Sequence, residues 1–96
     1  MYKPNPLDLT GITLPSSLEE LMELIAKNVH ENWAQQRMSE GWTYGEHRDD
    51  QKKVTPCLVP YEELSDTEKA YDRITAEQTL KTIIALGFKI EKDKEC

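Results

Sequence analysis

The sequence predicts a mostly α fold: a small helical hairpin with a long structured loop and an extended N-terminal arm. Two stretches carry apolar side chains at the three- and four-residue spacing of amphipathic helices, and helix-capping signals precede both. Residues 41–60, between them, follow no helical or alternating pattern. With 96 residues the chain has room for one domain, whose core we expect within residues 4–90.

The segment 1–14 is predicted to be an extended arm. Pro4 and Pro6 lack amide donors and disfavour helix, so the chain here should run without regular structure. Its apolar side chains give it a surface that can pack against the helices: Leu7, Leu9, Ile12 and Leu14.

The first helix is predicted over residues 18–39. Ser17 and Glu20 have the spacing of a capping box, with the serine as the N-cap. Gly41 is expected to end the helix, because glycine adopts the left-handed conformation at low cost. One apolar stripe runs along the helix: Leu18, Leu21, Met22, Ile25, Val29 and Trp33.

Helical signals return at Pro60, where a short helical turn is expected. Ser65–Glu68 and Thr75–Gln78 are two further capping boxes, which predict a short helix over 66–73 and a longer one over 76–86. The apolar face of the longer helix is formed by Leu80, Ile83 and Ile84. Tyr71 and Ile74 precede this face and are expected to continue it.

The end of the chain is predicted to be a turn followed by a charged tail. Gly87 should end the last helix, and Phe88 and Ile90 should fold back as a final apolar contact. Residues 91–96 are rich in charge and are predicted to be disordered.

Composition excludes several classes of function. The net charge is -6, with -3 in residues 1–48 and -3 in residues 49–96, so no basic patch favours nucleic acid. Mean hydropathy is -0.71, and no apolar run approaches the length of a membrane span. Two cysteines, Cys57 and Cys96, allow one disulfide, but so sparse a pair favours reduced thiols and a cytoplasmic location.

Six segments follow the order and spacing of a known family: NVHENWA at 28–34, GWTYG at 41–45, RDD at 48–50, PCLVPY at 56–61, EKAYDR at 68–73 and TLK at 79–81. Together they resemble the ryanodine receptor repeat (RyR) domain, of the single-repeat type found in prokaryotes and phages. The resemblance covers about Pro4 to Ile90.

This resemblance implies the fold of a helical hairpin, and it does not imply calcium release, because the chain carries one repeat and no channel. In ryanodine receptors the repeats occur in tandem pairs, so a lone repeat could pair with a second copy as a homodimer. For the prokaryotic and phage members, proposals favour ligand sensing.

Signals for catalysis, cofactors and metals are weak. No nucleophile has a base and an orienting group at a known spacing, and no phosphate-binding glycine loop is present. His30 and Glu31 begin like a zinc-protease helix, but Ala34 stands where the second ligand should be. Cys57 lies in an apolar setting that favours a buried structural thiol. We therefore expect no enzyme, no cofactor and no metal.

The best binding candidates are aromatic and arginine side chains around the loop. Aromatic faces and guanidinium groups stack on planar ligands, and arginine forks bind carboxylate or phosphate. The same side chains could instead hold the loop on the helices. His30 has the same two readings: a hydrogen bond to the loop backbone or a place in a pocket. The candidates are Trp33, Arg37, Trp42, Tyr44, Arg48, Tyr61 and Arg73.

Two functions follow from these residues. One is a protein-interaction or assembly module, which needs an exposed apolar surface. The other is a sensor of a small anionic or nucleotide-like ligand, which needs a concave site with converging polar groups. The placement of Trp42, Tyr44, Arg48 and Arg73 should separate them: an open pocket favours sensing, whereas buried or paired side chains favour interaction.

Overall fold

The computed structural model describes residues 1–93 and has two long helices that pack against each other, which confirms the mostly α fold. The long connection between them contains a two-stranded sheet and one turn of 3-10 helix. In chain order the elements are α1 (Ser17–Ser39), β1 (Thr43–Tyr44), β2 (Val54–Thr55), the 3-10 helix (Tyr61–Glu63) and α2 (Asp66–Ala85).

Helix α1 has the predicted extent, but the predicted capping box at its start is wrong. Its N-cap is Ser16, which already has helical angles (φ -57°, ψ -30°) and makes no side-chain capping bond. Because the chain turns one residue early, the amide of Leu18 bonds the Pro15 carbonyl at 2.9 Å, and a Ser17 cap is not needed. At the other end, Gly41 has the expected left-handed φ of 91°.

Helix α2 is continuous, so the predicted break before residue 76 is wrong. The box at its start is present: the Glu68 amide donates to Ser65 Oγ, and Glu68 Oε1 accepts from Ser65. The second box does not form, because the Thr75 hydroxyl donates to the Tyr71 carbonyl at 3.0 Å inside the helix. A hydroxyl engaged with the preceding turn leaves the helix intact.

The end of α2 agrees with the sequence only in part. Gly87 has a φ of 94°, and the Phe88 amide bonds the Ile83 carbonyl at 3.2 Å, so the helix stops in a left-handed turn. The side chain of Phe88 is exposed, however, and only Ile90 is partly buried. Only residues 91–93 of the predicted tail lie within the described residues. Cys96 lies outside them, and so does any disulfide that it could form.

The loop contains a small parallel sheet that no sequence pattern predicted. Thr43 pairs with Val54 and Tyr44 with Thr55. Between the strands the chain reverses at Asp49, whose amide and carbonyl both bond Val54 at 2.9 Å. These bonds hold residues 43–55 as one ordered unit beside the end of α1.

The core lies where α1, α2 and the 3-10 helix meet. Ala26 on α1 and Ala76 on α2 are almost completely buried, and such small side chains let the two helices approach closely. Tyr61 and Leu64 close the cluster from the connection. Four partly buried side chains pack around it: Met22, Ile25, Cys57 and Val59.

Tyr71 and Ile74 do not lead into this core, contrary to the prediction. They are 69% and 56% exposed, because a continuous helix of 3.6 residues per turn that buries Ala76 and Leu80 directs them to the opposite side. The prediction for the arm holds in most of its apolar residues: Leu9 is buried and Ile12 and Leu14 are partly buried, whereas Leu7 is exposed.

Candidate functional site

A network of three side chains ties the elements together and occupies one predicted binding residue. The guanidinium of Arg73 donates from Nε and Nη2 to the two oxygens of Glu23, at 2.8 and 3.0 Å. The hydroxyl of buried Tyr61 donates to the same carboxylate at 3.0 Å. Arg73 is therefore engaged in a bidentate pair, and Tyr61 is part of the core.

The ionisation of this network follows from its contacts. The hydrogen bonds from Arg73 hold the pKa of Glu23 below its usual value, with a smaller contribution from Tyr61. Burial, and then the adjacent Glu23 carboxylate, raise the pKa of the Tyr61 hydroxyl. The network is therefore most stable with Glu23 charged and Tyr61 protonated.

The remaining predicted arginines are also engaged. Arg37 lies 5.1 Å from the ring centre of Trp42 and 5.9 Å from that of Trp33, within the range of cation–π contact. Arg48 Nε donates to the Asp50 carboxylate at 2.7 Å on the surface. The guanidinium groups of the predicted set thus contact aromatic rings or carboxylates of this same chain.

One concave surface brings chemically active groups together; we call it the His30–Asp72 groove. It has a volume of about 320 Å³ and lies between α1 and α2 on the side of the connection. Its wall is mostly apolar, with two carboxylates, an imidazole and a thiol. The lining residues are His30, Trp33, Cys57, Leu64, Glu68, Tyr71 and Asp72.

His30 is fixed at the base of the groove. It is 4% exposed, and its Nε2 lies 2.7 Å from the backbone oxygen of Val59, the loop contact that was one of its two predicted roles. Its ring stacks on Trp33 with centres 5.6 Å apart. Its Nδ1 lies 4.0 Å from Oδ2 of Asp72. His30 therefore has both predicted roles, since it also lines a pocket.

Cys57 and Glu68 form the next part of the wall. The thiol of Cys57 donates to Glu68 Oε2, and the same carboxylate accepts from Ser65 at the start of α2. Burial raises the pKa of the Cys57 thiol, and the neighbouring Glu68 raises it further. The hydrogen bonds from Cys57 and then Ser65 lower the pKa of Glu68. Cys57 is thus a protonated donor and not a reactive thiolate.

Asp72 differs from Glu68 in its surroundings. Its side chain is only 20% exposed, and burial raises the pKa of its carboxyl group. His30 acts in the opposite direction and Glu68 in the same direction, both more weakly than burial. Asp72 is therefore a carboxylate whose charged form is poorly stabilised by this chain.

The structure divides the seven predicted binding residues into separate groups: Arg37 contacts the rings of Trp33 and Trp42, and Tyr61 and Arg73 share the carboxylate of Glu23. In the described part of the chain, Trp33 is the one member that lines the groove; Tyr44 and Arg48 lie on the surface, and Arg73 pairs with Glu23. Three of the groove residues outside that set had a signal in the sequence. Glu68, Tyr71 and Asp72 stand at i, i+3 and i+4, which places them on one side of a helix.

Outside the groove, residues 1–93 offer few other candidate sites. A second concavity, of about 470 Å³, lies beside the start of α1, and its lining includes Ile90 to Lys92, next to the residues that the structure does not describe. No group of three or more side chains in this range could hold a metal ion. Neither described helix is long and apolar enough to cross a membrane.

Comparison with known families agrees with the motifs. The family model of the RyR domain matches residues 2–92, which is nearly the whole chain and includes every element of the fold and every residue of the groove. The resemblance seen in the six sequence segments is thereby confirmed. The chain belongs to the RyR domain family.

Proposed function

We propose that this chain is a non-enzymatic protein-interaction module that docks a partner protein on one face of α2. The observation that carries the proposal is the exposure of Tyr71, which lines the His30–Asp72 groove, and of Ile74, three residues further along the same helix. Neighbouring exposed aromatic and aliphatic side chains beside a concave surface are typical of protein interfaces. Burying both side chains against a partner would gain free energy that the isolated chain forgoes.

The charges in the groove favour this role over sensing of a small anion. Arg48 and Arg73 already pair with Asp50 and Glu23, so neither is free to bind a phosphate or carboxylate without breaking an ion pair. Glu68 and Asp72 line the groove instead, and they would repel an anion. The interaction role needs no rearrangement of these pairs.

The experiment is site-specific photo-cross-linking in cells that produce the protein. A photoreactive phenylalanine analogue replaces Ile74 in one variant and exposed Gln35 of α1 in the control. We expect one discrete adduct from position 74, absent from position 35 and lost when Tyr71→Asp is added. An adduct of twice the chain mass of 11.1 kDa would identify the partner as a second copy.

Two results would contradict the proposal. One is the lack of a discrete adduct from position 74. The other is a rise in melting temperature with nucleotides or other small anions that the Tyr71→Asp variant retains, because that result would restore the sensing role. Thermal-shift measurements with a panel of such anions supply this second readout.

A further inference from the structure

Two hydrogen-bond acceptors face each other at the base of the groove. The Val59 carbonyl can only accept, so the Nε2 of His30 that contacts it must carry the proton. In the neutral ring, Nδ1 is then an acceptor, and it lies 4.0 Å from Oδ2 of Asp72. Within residues 1–93 no hydrogen bond reaches either atom, and 4.0 Å is too long for one between them. No described side-chain nitrogen or oxygen is fully buried without a partner, so both atoms are open to a donor from water or from a ligand.

The walls above these acceptors are flat and apolar. Trp33, stacked on His30, forms one side, and the exposed ring of Tyr71 stands at the outer edge. Aromatic faces attract cations, and most strongly those with a planar, weakly hydrated charge. Leu64 completes the apolar surface. A ligand here would have a positive, donor-bearing end and an apolar stem.

The charge and the volume of the groove limit the kinds of ligand that it can bind. The groove contains Glu68 and Asp72, and no arginine or lysine of residues 1–93 lines it; Arg37 and Lys69 lie over the rings of Trp33 and Tyr61. Its volume of about 320 Å³ is at the lower end of small-molecule pockets, roughly 300–1,000 Å³. That space suits one long side chain better than a nucleotide.

We propose that the groove receives an arginine side chain of the partner protein, with its guanidinium between Asp72 and Nδ1 of His30. This inference rests on the proposed interaction function and names the chemistry of the partner. Guanidinium offers five donors in a planar fork, so one edge can serve both acceptors while the plane lies against Trp33. Lysine has a compact, strongly hydrated ammonium and should bind more weakly.

The experiment is an NMR titration of the whole ¹⁵N-labelled chain with short peptides. The probe is an acetylated, amidated peptide with one arginine between glycines. The matched peptides carry citrulline (the same shape without charge), lysine or glutamate at that position. We expect the arginine peptide to shift the Trp33 indole and the ring nitrogens of His30, the lysine peptide to shift them less, and the other two to leave them unchanged.

Two variants with the same change of charge locate the binding. Asp72→Asn should weaken the arginine peptide about tenfold, the loss of one charge-assisted hydrogen bond. Asp50→Asn removes a surface carboxylate outside the groove and should leave the affinity unchanged. Equal binding of the citrulline peptide, or full affinity in Asp72→Asn, would overturn the inference.

The two proposals fail in different ways. If position 74 cross-links a partner while the arginine peptide does not bind, the interaction function stands and the arginine inference is wrong. If the peptide binds the groove but position 74 gives no adduct, the chemistry of the groove stands and the docking face is wrong. Retained spectral dispersion in Asp72→Asn shows that the variant is folded.

Discussion

Glu23 on α1 and Asp72 on α2 are carboxylates whose surroundings differ at the level of single contacts. Glu23 accepts three hydrogen bonds, from Arg73 and Tyr61, and the pKa of its carboxyl group is lowered. Asp72 accepts none within residues 1–93, and burial raises its pKa. The first carboxylate stabilises the fold when charged, whereas the second destabilises it.

Replacing Glu23 should give a pH-dependent loss of stability. Because the pKa of Glu23 is lowered on folding, its contribution is present above the usual glutamate value of 4.5 and lost as pH falls through the folded pKa. Glu23→Gln should therefore cost about 1 kcal/mol at pH 7, a figure kept small because the pair is partly exposed and screened. Urea unfolding from pH 7 to pH 3 measures it; a constant difference across that range would contradict the argument.

The matched control for this measurement is Glu31→Gln on the same helix. Glu31 is exposed and makes no ion pair within 4.0 Å in the described chain. Its replacement should change the free energy of unfolding by less than about 0.5 kcal/mol. An equal loss in both variants would mean that the effect is general to acidic residues of α1.

Replacing Asp72 should change the free energy of unfolding in the opposite direction. The pKa of Asp72 is raised on folding, so stability falls as pH rises above the usual aspartate value of 3.8, and an uncharged side chain removes that penalty. Asp72→Asn should therefore be as stable as the native chain at pH 7, or more so. A loss of more than about 1 kcal/mol in urea unfolding would show that Asp72 is a structural group.

At the scale of elements, the two helices differ in how they begin, which can be tested with one type of substitution. Ser65 closes a capping box with Glu68, whereas Ser17 lies inside α1 and makes no capping bond. Ser65→Ala should cost about 1 kcal/mol of stability and Ser17→Ala close to nothing. Thermal unfolding of both variants checks this; equal costs would mean that the box adds no stability.

The strand pair depends on one close contact. A Cβ added at Gly45 would overlap Cγ1 of Val54, on the neighbouring strand. Gly45→Ala should therefore cost about 1–3 kcal/mol through overpacking, and Val54→Ala in the same chain should recover most of the loss. Urea unfolding of the two single variants and the double variant tests it; additive costs would rule out the contact.

Sequence patterns predicted the helices well and the connection poorly. An apolar stripe and a terminal glycine suffice to place α1, since both act within a few residues of each other. The break before Ala76 was predicted wrongly because a capping box has the same local pattern as a threonine bonded back to Tyr71. Strands of two residues are too short to alternate, and their pairing depends on residues eleven positions apart in sequence, such as Thr43 and Val54.

At the scale of the whole molecule, the family and the fold could be predicted, but the groove could not. Aromatic and arginine residues were chosen as candidates by chemistry alone, and their partners, such as Glu23 for Arg73, lie up to 50 positions away in sequence. The groove forms only when α1, α2 and the loop meet at His30 and Cys57. The helical spacing of Glu68, Tyr71 and Asp72 identifies only one wall of the groove.

The net charge of -6 gives a prediction for any basic partner. Charges beyond the groove add a long-range attraction, and salt screens it over about 10 Å at 0.1 M. The affinity for the arginine peptide should fall several-fold between about 0.05 and 0.5 M NaCl, while any residual citrulline binding should not. Calorimetric titration at three salt concentrations measures this; an unchanged affinity would mean that charge does not drive binding.

The partners of Glu23 and His30 have a consequence for the synthesis of this chain. Glu23 is made 38 residues before Tyr61 and 50 before Arg73, and His30 is made 29 residues before Val59. On the ribosome, α1 therefore emerges with its carboxylate and its imidazole still hydrated and its stripe uncovered. The hairpin can close only after α2 has left the exit tunnel, so α1 stays uncovered on the ribosome for as long as the connection and α2 are being made.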